Sequence, residues 1–156
     1  MSGPHGLVGR ADDVVAIQQL VLLHCDTVSR GDWDLFERLY FDDAVWEESA
    51  PLEGRAVGAR EIRERSQAMD AAVELFLQTA TGTVVAFRDE DHAAARTPIR
   101  GFAVVGGQSF ENHGIYYDEL VRTGGAWRFQ RRFLQNLYVV QSPFEGSIAI
   151  ERGAIR

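Results

Sequence analysis

The sequence predicts an α+β fold, a cone-shaped, curved and mostly antiparallel sheet wrapped on three N-terminal helices. Three observations carry that prediction. Apolar residues recur at helical spacing only up to Ala72, and beyond Val73 the chain becomes rich in Thr, Val and Phe, in segments broken by Gly106-Gly107 and Gly124-Gly125. Helices first and antiparallel strands after is the order of helices packed on one face of a sheet. The 156 residues, 46% hydrophobic and 25% charged, have globular composition. A chain of that size buries roughly two-thirds of its unfolded surface, which makes one core and hardly two.

Residues 1–10, with Gly3, Pro4, Gly6 and Gly9, read as a loose arm. A domain over 11–140 follows, then a tail over 141–156 that folds over the sheet or crosses to a partner. Val14, Ile17, Val21, His24, Cys25 and Val28 mark the first helix, with Asp12 as its N-cap and Gly31 as its stop. Asp32 caps a shorter helix carrying Leu35, Phe36, Leu39 and Tyr40. Asp42 to Glu48 reads as a turn entering a strand, and Gly54 and Gly58 frame a bend. Ala59 to Ala72 is the third helix, with Ile62 and Met69 inward and a Glu61–Arg65 pair outward. Strand-like sequence runs from Leu75 to Phe87 and from Ala93 to Val105, where Pro98 and Gly101 mark a bulge or an edge. Ile115 to Arg122 and Ala126 to Val140 form a hairpin through Thr123-Gly124-Gly125.

Charge and composition remove several functions. The net charge of −7 and the absence of a Lys/Arg stripe argue against nucleic acid. No apolar run approaches the ~20 residues of a membrane span, and Met1 to Arg10 lacks the pattern of a secretion signal. Cys25 is the only cysteine, which fits a reducing, cytoplasmic setting. His5, His24, His92 and His113 fall in different elements without metal-ligand spacing, so no metal is expected. The glycine pairs have no following helix to cradle a phosphate, and no GxSxG elbow is present.

Three helices leave the mouth of such a cone open, so a solvent-connected apolar cavity of ~300–1,000 Å³ is expected. Chemistry then requires titratable side chains where apolar ones belong. His24, on the margin of the first helix's apolar stripe, is a candidate general acid or base. Its neighbour Cys25 points about 100° away and is core filler. Trp46 and Glu48 share one face of their strand; Trp46 is a wall, and Glu48 is equally readable as a solvated strand end. In the last strand Trp127, Phe129, Arg131, Phe133 and Gln135 share one parity, and Arg128, Gln130, Arg132, Leu134, Asn136 and Tyr138 the other. A bulge would reverse the parity halfway, so periodicity leaves open whether Arg131 or Arg132 faces inward. Asn112, Tyr116 and Asp118 likewise alternate against His113, Ile115 and Tyr117.

Taken in order, Gly31-Asp32-Trp33-Asp34, Tyr40 to Trp46, Gly54, Val57-Gly58, Tyr116 to Arg122, Trp127-Arg128-Phe129 and Arg132 resemble the SnoaL-like branch of the NTF2-like superfamily over residues 11–140. The resemblance implies a cone-shaped barrel, a homodimer or homotrimer, and chemistry without metal or organic cofactor: dehydration, dehydrohalogenation, isomerisation, epoxide opening or cyclisation. Its dehydratase and dehydrochlorinase members use a His–Asp pair to remove a proton and an Arg to help the leaving group. Those positions fall here on Gln78, Ser29 and Arg132; Trp46 and Tyr116 match the aromatic wall, and His24 the pocket position of the first helix. A Ser–Gln pair has no group titrating near neutrality, so His24 is expected to substitute as the base. Arg132 then stabilises negative charge, Tyr116 and Gln78 orient the substrate, and Trp46, Phe76 and Phe133 form apolar walls. The reading is a cofactor-independent lyase, isomerase or cyclase for a small hydrophobic, cyclic metabolite. Its alternatives are a binding protein or accessory subunit that keeps the pocket without the pair, and a dimerising scaffold without a ligand.

Overall fold

The computed structural model describes residues 10–150 and 154–155. Apart from Arg10, the expected arm, His5 included, lies outside the described residues, as do residues 151–153 and 156 of the tail.

Helix α1 (Ala11–Arg30) starts directly after Arg10, so Asp12 and Asp13 occupy its first turn, where acidic side chains suit the helix dipole. Asp13 anchors that end: its carboxylate accepts from Trp127 Nε1 at 2.9 Å, Arg10 at 3.0 Å and Arg122 at 3.1 Å. The Trp127 bond is the main reason its carboxyl sits below the usual range. Gly31 stops α1 as expected, with φ at 71° and its N–H bonded to the Thr27 carbonyl. Asp32 caps α2 (Trp33–Arg38) by accepting from Leu35 N at 3.2 Å, a cap worth about 1 kcal/mol.

Strand β1 (Tyr40–Glu48) follows, and the expected bend between Gly54 and Gly58 is instead a short strand, β2 (Gly54–Val57), paired antiparallel with β1. Gly54 leaves room for the Arg65 guanidinium, which occupies the place a Cβ would take. In α3 (Ala59–Ala71) Ile62 is buried, but Met69 is 48% exposed. Glu61 accepts from Val57 N at 3.2 Å, while Arg65 lies over the Trp46 ring at 5.2 Å; the expected pair between them does not form, because β2 and Trp46 offer each a nearer partner.

The long β segment after Val73 divides into β3 (Leu75–Ala80) and β4 (Val84–Phe87), which line up along one edge of β5 (His92–Val105). Ala80 pairs with Ile99 and Val84 with Arg96, so Pro98 faces the gap between them, where its missing N–H costs no ladder bond. Strands β6 (Gln108–Thr123) and β7 (Ala126–Pro143) join through Gly124 and Gly125, both at positive φ as a tight two-residue hairpin requires. The seven-stranded sheet runs β2-β1-β7-β6-β5-β3 with β4 also on β5. All pairings are antiparallel except β1 with β7, and α1 packs across the concave face against β3 and β7. Among the described residues no helix is long and apolar enough to cross a membrane.

Strand β7 resolves the parity question by using both parities. Trp127 and Phe129 are buried; a bulge between the Leu120–Phe129 and Glu119–Arg131 pairs inserts Gln130, and Arg132 and Leu134 then turn inward. A second irregularity inserts Leu137, after which Val139 faces the interior. Arg131 and Phe133 are therefore on the convex side, where Phe133 stacks on Tyr117 at 6.4 Å and Arg131 pairs with Glu47 at 2.7 Å. Phe133, expected as a pocket wall, is not one.

Candidate functional site

Register places the concave-face side chains in rows across the sheet. Trp46, Arg132 and Asp118 pair across β1, β7 and β6, and the next row is Glu48, Leu134 and Tyr116. Further along, Val139, Asn112, Gly101 and Gln78 form a row over β7, β6, β5 and β3. α1 closes this face with His24 and Val28. The space between is a cavity of about 190 Å³, lined by His24, Trp46, Glu48, Gln78, Asn112 and Tyr116 among apolar groups. Leu52, Met69, Val73, Phe76, Phe102 and Val139 supply the apolar lining, which explains Met69's exposure. The cavity is smaller than expected, because two rows of large side chains fill the deep end of the cone.

Arg132 belongs to that filled end and does not line the cavity. It is 1% exposed, its guanidinium donates to Asp118 at 2.7 and 3.1 Å, and it lies between the Tyr116 and Phe129 rings at 3.8 and 4.0 Å. Burial opposes its charge, but the Asp118 carboxylate, together with Tyr40 and Tyr116, outweighs this and holds it protonated. The expectation that Arg132 meets the substrate is corrected: Asp118, two residues from Tyr116 on the same face, claims the guanidinium. Tyr40 completes this cluster, and burial pushes its hydroxyl above the ordinary range.

His24 does reach the cavity. It is 3% exposed, ringed by Phe36, Tyr40, Tyr116 and Phe129 at 5.2 to 6.2 Å, and its Nδ1 has no hydrogen-bond partner among the described residues. Desolvation, with the nearby Arg132 charge, holds it well below the usual imidazole range, so it is neutral; Gln78 works weakly the other way. Gln78 also accepts from Cys25 Sγ at 3.8 Å and interacts with Tyr116. Burial pushes the Cys25 thiol up to about 11 and leaves it unreactive. Ser29, placed by resemblance beside Gln78, is spent on the backbone: its hydroxyl accepts from Gln78 N at 3.0 Å and meets Gln78 O at 3.4 Å. It clamps β3 to α1 and does not line the cavity. Burial raises the Tyr116 hydroxyl. Trp46 and Phe76 line the cavity.

Sequence reasoning did not settle on Glu48. It lines the cavity at 8% exposure, its Oε1 accepts from Asn136 Nδ2 at 3.1 Å, and desolvation raises its pKa against the pull of Asn136 and Arg65. Its shared parity with Trp46 was the available signal; the missing part was Asn136, distant in sequence and set inward by the β7 bulge. Among the described residues no three His, Cys, Asp or Glu side chains gather as a metal site.

The comparisons agree with this fold. A family model described as a SnoaL-like domain matches residues 9–133. Among solved structures, one assigned as an aromatic ring hydroxylase from Novosphingobium aromaticivorans is 26% identical, with 85% of this chain and 94% of that one covered and a TM-score of 0.76. One assigned as a scytalone dehydratase from the same organism is 14% identical over 94% and 96% of the two chains, also at 0.76. The hexachlorocyclohexane dehydrochlorinase of type 3 from Novosphingobium barchaimii LL02 is 20% identical over 90% and 96%, again at 0.76. No protein of curated function matches the chain.

Proposed function

This chain belongs to the SnoaL-like domain family, and from that premise we propose that it is a cofactor-independent lyase, isomerase or cyclase acting by acid–base chemistry on a small hydrophobic, cyclic metabolite. The observation that carries the reading is the cavity itself: apolar walls enclosing uncharged hydrogen-bonding groups, His24, Gln78 and Tyr116. His24 exchanges a proton with the substrate. Tyr116 and Gln78 hold a substrate oxygen, and Trp46 and Phe76 select a flat apolar body. Arg132 acts through Tyr116, fixing its ring and biasing the local field. A volume of about 190 Å³ favours one or two rings over a large polycycle. A homodimer or homotrimer in the cytoplasm is part of the same reading.

His24→Gln is expected to remove turnover of a substrate found by screening monocyclic and bicyclic compounds, while calorimetric affinity stays within about threefold. Unchanged turnover would sink the role given to His24. A second reading, a ligand-binding or accessory subunit, is favoured by one observation: Ser29 and Gln78 are joined to each other as a structural clamp. A compound retained tightly and chemically unchanged after long incubation would support it.

A further inference from the structure

A carboxyl group inside an apolar cavity is costly unless something holds it, and Glu48 is held from one side only. Its Oε1 accepts from Asn136 Nδ2, which also donates to the Ser49 carbonyl at 2.9 Å. Asn136 Oδ1 accepts from Asn112 Nδ2 at 2.9 Å, and Asn112 Oδ1 accepts from the Gly101 N–H at 3.1 Å. Every bond in this chain donates toward Glu48, which fixes both amides and leaves Oε1 always an acceptor. Gly101 has no Cβ because Asn112 Oδ1 occupies that position. The second oxygen, Oε2, makes no hydrogen bond among the described residues, and the group lines the cavity.

We propose that Glu48 is a second proton-transferring residue of the cavity, taking a proton from a carbon next to the carbonyl of a small cyclic ketone while His24 shares its N–H proton with the carbonyl oxygen and Tyr116 donates a hydrogen bond to it. The inference rests on the acid–base reading above and deepens it. In the step the C–H bond breaks, an O–H bond forms on Oε2, and the electron pair moves onto the carbonyl oxygen. Return of the proton to the same or another carbon restores the carboxylate, so no oxidant or co-reactant is consumed.

The surrounding charges fit this division of labour. From α1 His24 is neutral, and from β6 Tyr116 is a protonated phenol. From α3 Arg65 lies over the Trp46 ring and against Gly54, the β2 partner of Glu48, and favours the ionised carboxyl, while Asp70 lies at the cavity wall. Glu111, also lining from β6, is tied to Arg100 at 2.7 and 2.9 Å, which keeps its carboxyl below the ordinary range and makes it a poor base. Glu48 has no such direct ion pair among the described residues, and burial outweighs the pull of Asn136 and Arg65 and makes it more basic.

The experiment follows exchange of α-protons of cyclohexanone and 1-indanone in D2O by proton NMR, with phenol binding as the control for an intact cavity. Wild-type protein should accelerate exchange above buffer, E48Q should lose about a hundredfold or more, and E48D should keep a measurable rate with phenol affinity preserved. An E48Q rate within about twofold of wild type would overturn the assignment. If H24Q abolished exchange and E48Q did not, Glu48 would be eliminated and the proposed function kept. Wild-type protein that binds phenol but exchanges neither ketone also overturns the role of Glu48, in favour of a binding cavity. Failure to bind phenol at all would remove the proposed function with it.

Discussion

Two groups of buried polar side chains flank Tyr116, one packed away from the cavity and one lining it, and they solve the problem of burial differently. Away from the cavity, Arg132 and Asp118 keep full charges by pairing at 2.7 Å among aromatic rings. At the cavity, His24 has surrendered its proton, and Glu48 is pressed toward gaining one. Paired charge in a dry interior is held in its ionised form, whereas groups pushed toward their neutral forms, facing a void, remain able to exchange protons. The contrast separates what shapes the cone from what acts in it, and each side of it can be attacked by mutation.

The largest effect belongs to the charged side. Arg132→Met strands Asp118 as an unpaired buried carboxylate and should cost about 3–5 kcal/mol in urea unfolding, with much of it recovered when Asp118→Leu is added. Tyr116→Phe keeps the ring that Arg132 stacks on and removes only the hydroxyl. Stability should hardly change, while turnover or ketone exchange falls on the order of a hundredfold. Similar losses of stability in both variants would erase the distinction.

Smaller effects refine it. Ser29→Ala leaves Gln78 N without its partner and should cost about 1 kcal/mol in thermal melts, a structural rather than catalytic loss. His24 gives a pH signature. Its folded pKa is depressed, so the unfolded chain binds the proton more readily, and the contribution present above 6.5 is lost as pH falls below that value. Glu48, raised from 4.5, acts in the opposite sense, its ionisation weakening the fold as pH rises through its folded pKa. Melts at pH 7.5 and 5.5, chosen from those two windows, should therefore show less acid destabilisation in H24Q than in wild type. Phe133→Ala, on the convex face, should leave phenol affinity within about twofold; a larger change would put that residue back among the cavity walls.

The layout of the fold was legible because it depends on local signals: Gly31 and Asp32 at helix ends, paired glycines at hairpins, Thr- and Val-rich strands. The site was legible only in part. His24, Trp46, Gln78, Phe76 and Tyr116, each named from patterning or resemblance, line one cavity, which says where they stand and not what they do. Arg132 faces inward but stops short of the cavity, since its partner Asp118 comes from another strand. Phe133 went to the wrong face because periodicity cannot see a bulge whose position is set by pairing with β6. Glu48 looked like a strand end until Asn136 was folded against it.

The bulges at Gln130 and Leu137 each insert one residue into β7 without breaking the continuity of its inner face. Deleting Gln130 would set Phe129, Arg132 and Leu134 in plain alternation, all still inward, with Arg131 and Phe133 still outward. Loss of a single codon there would therefore spare the lining and act on the local twist of the strand, so this stretch can shorten without passing through a core turned inside out.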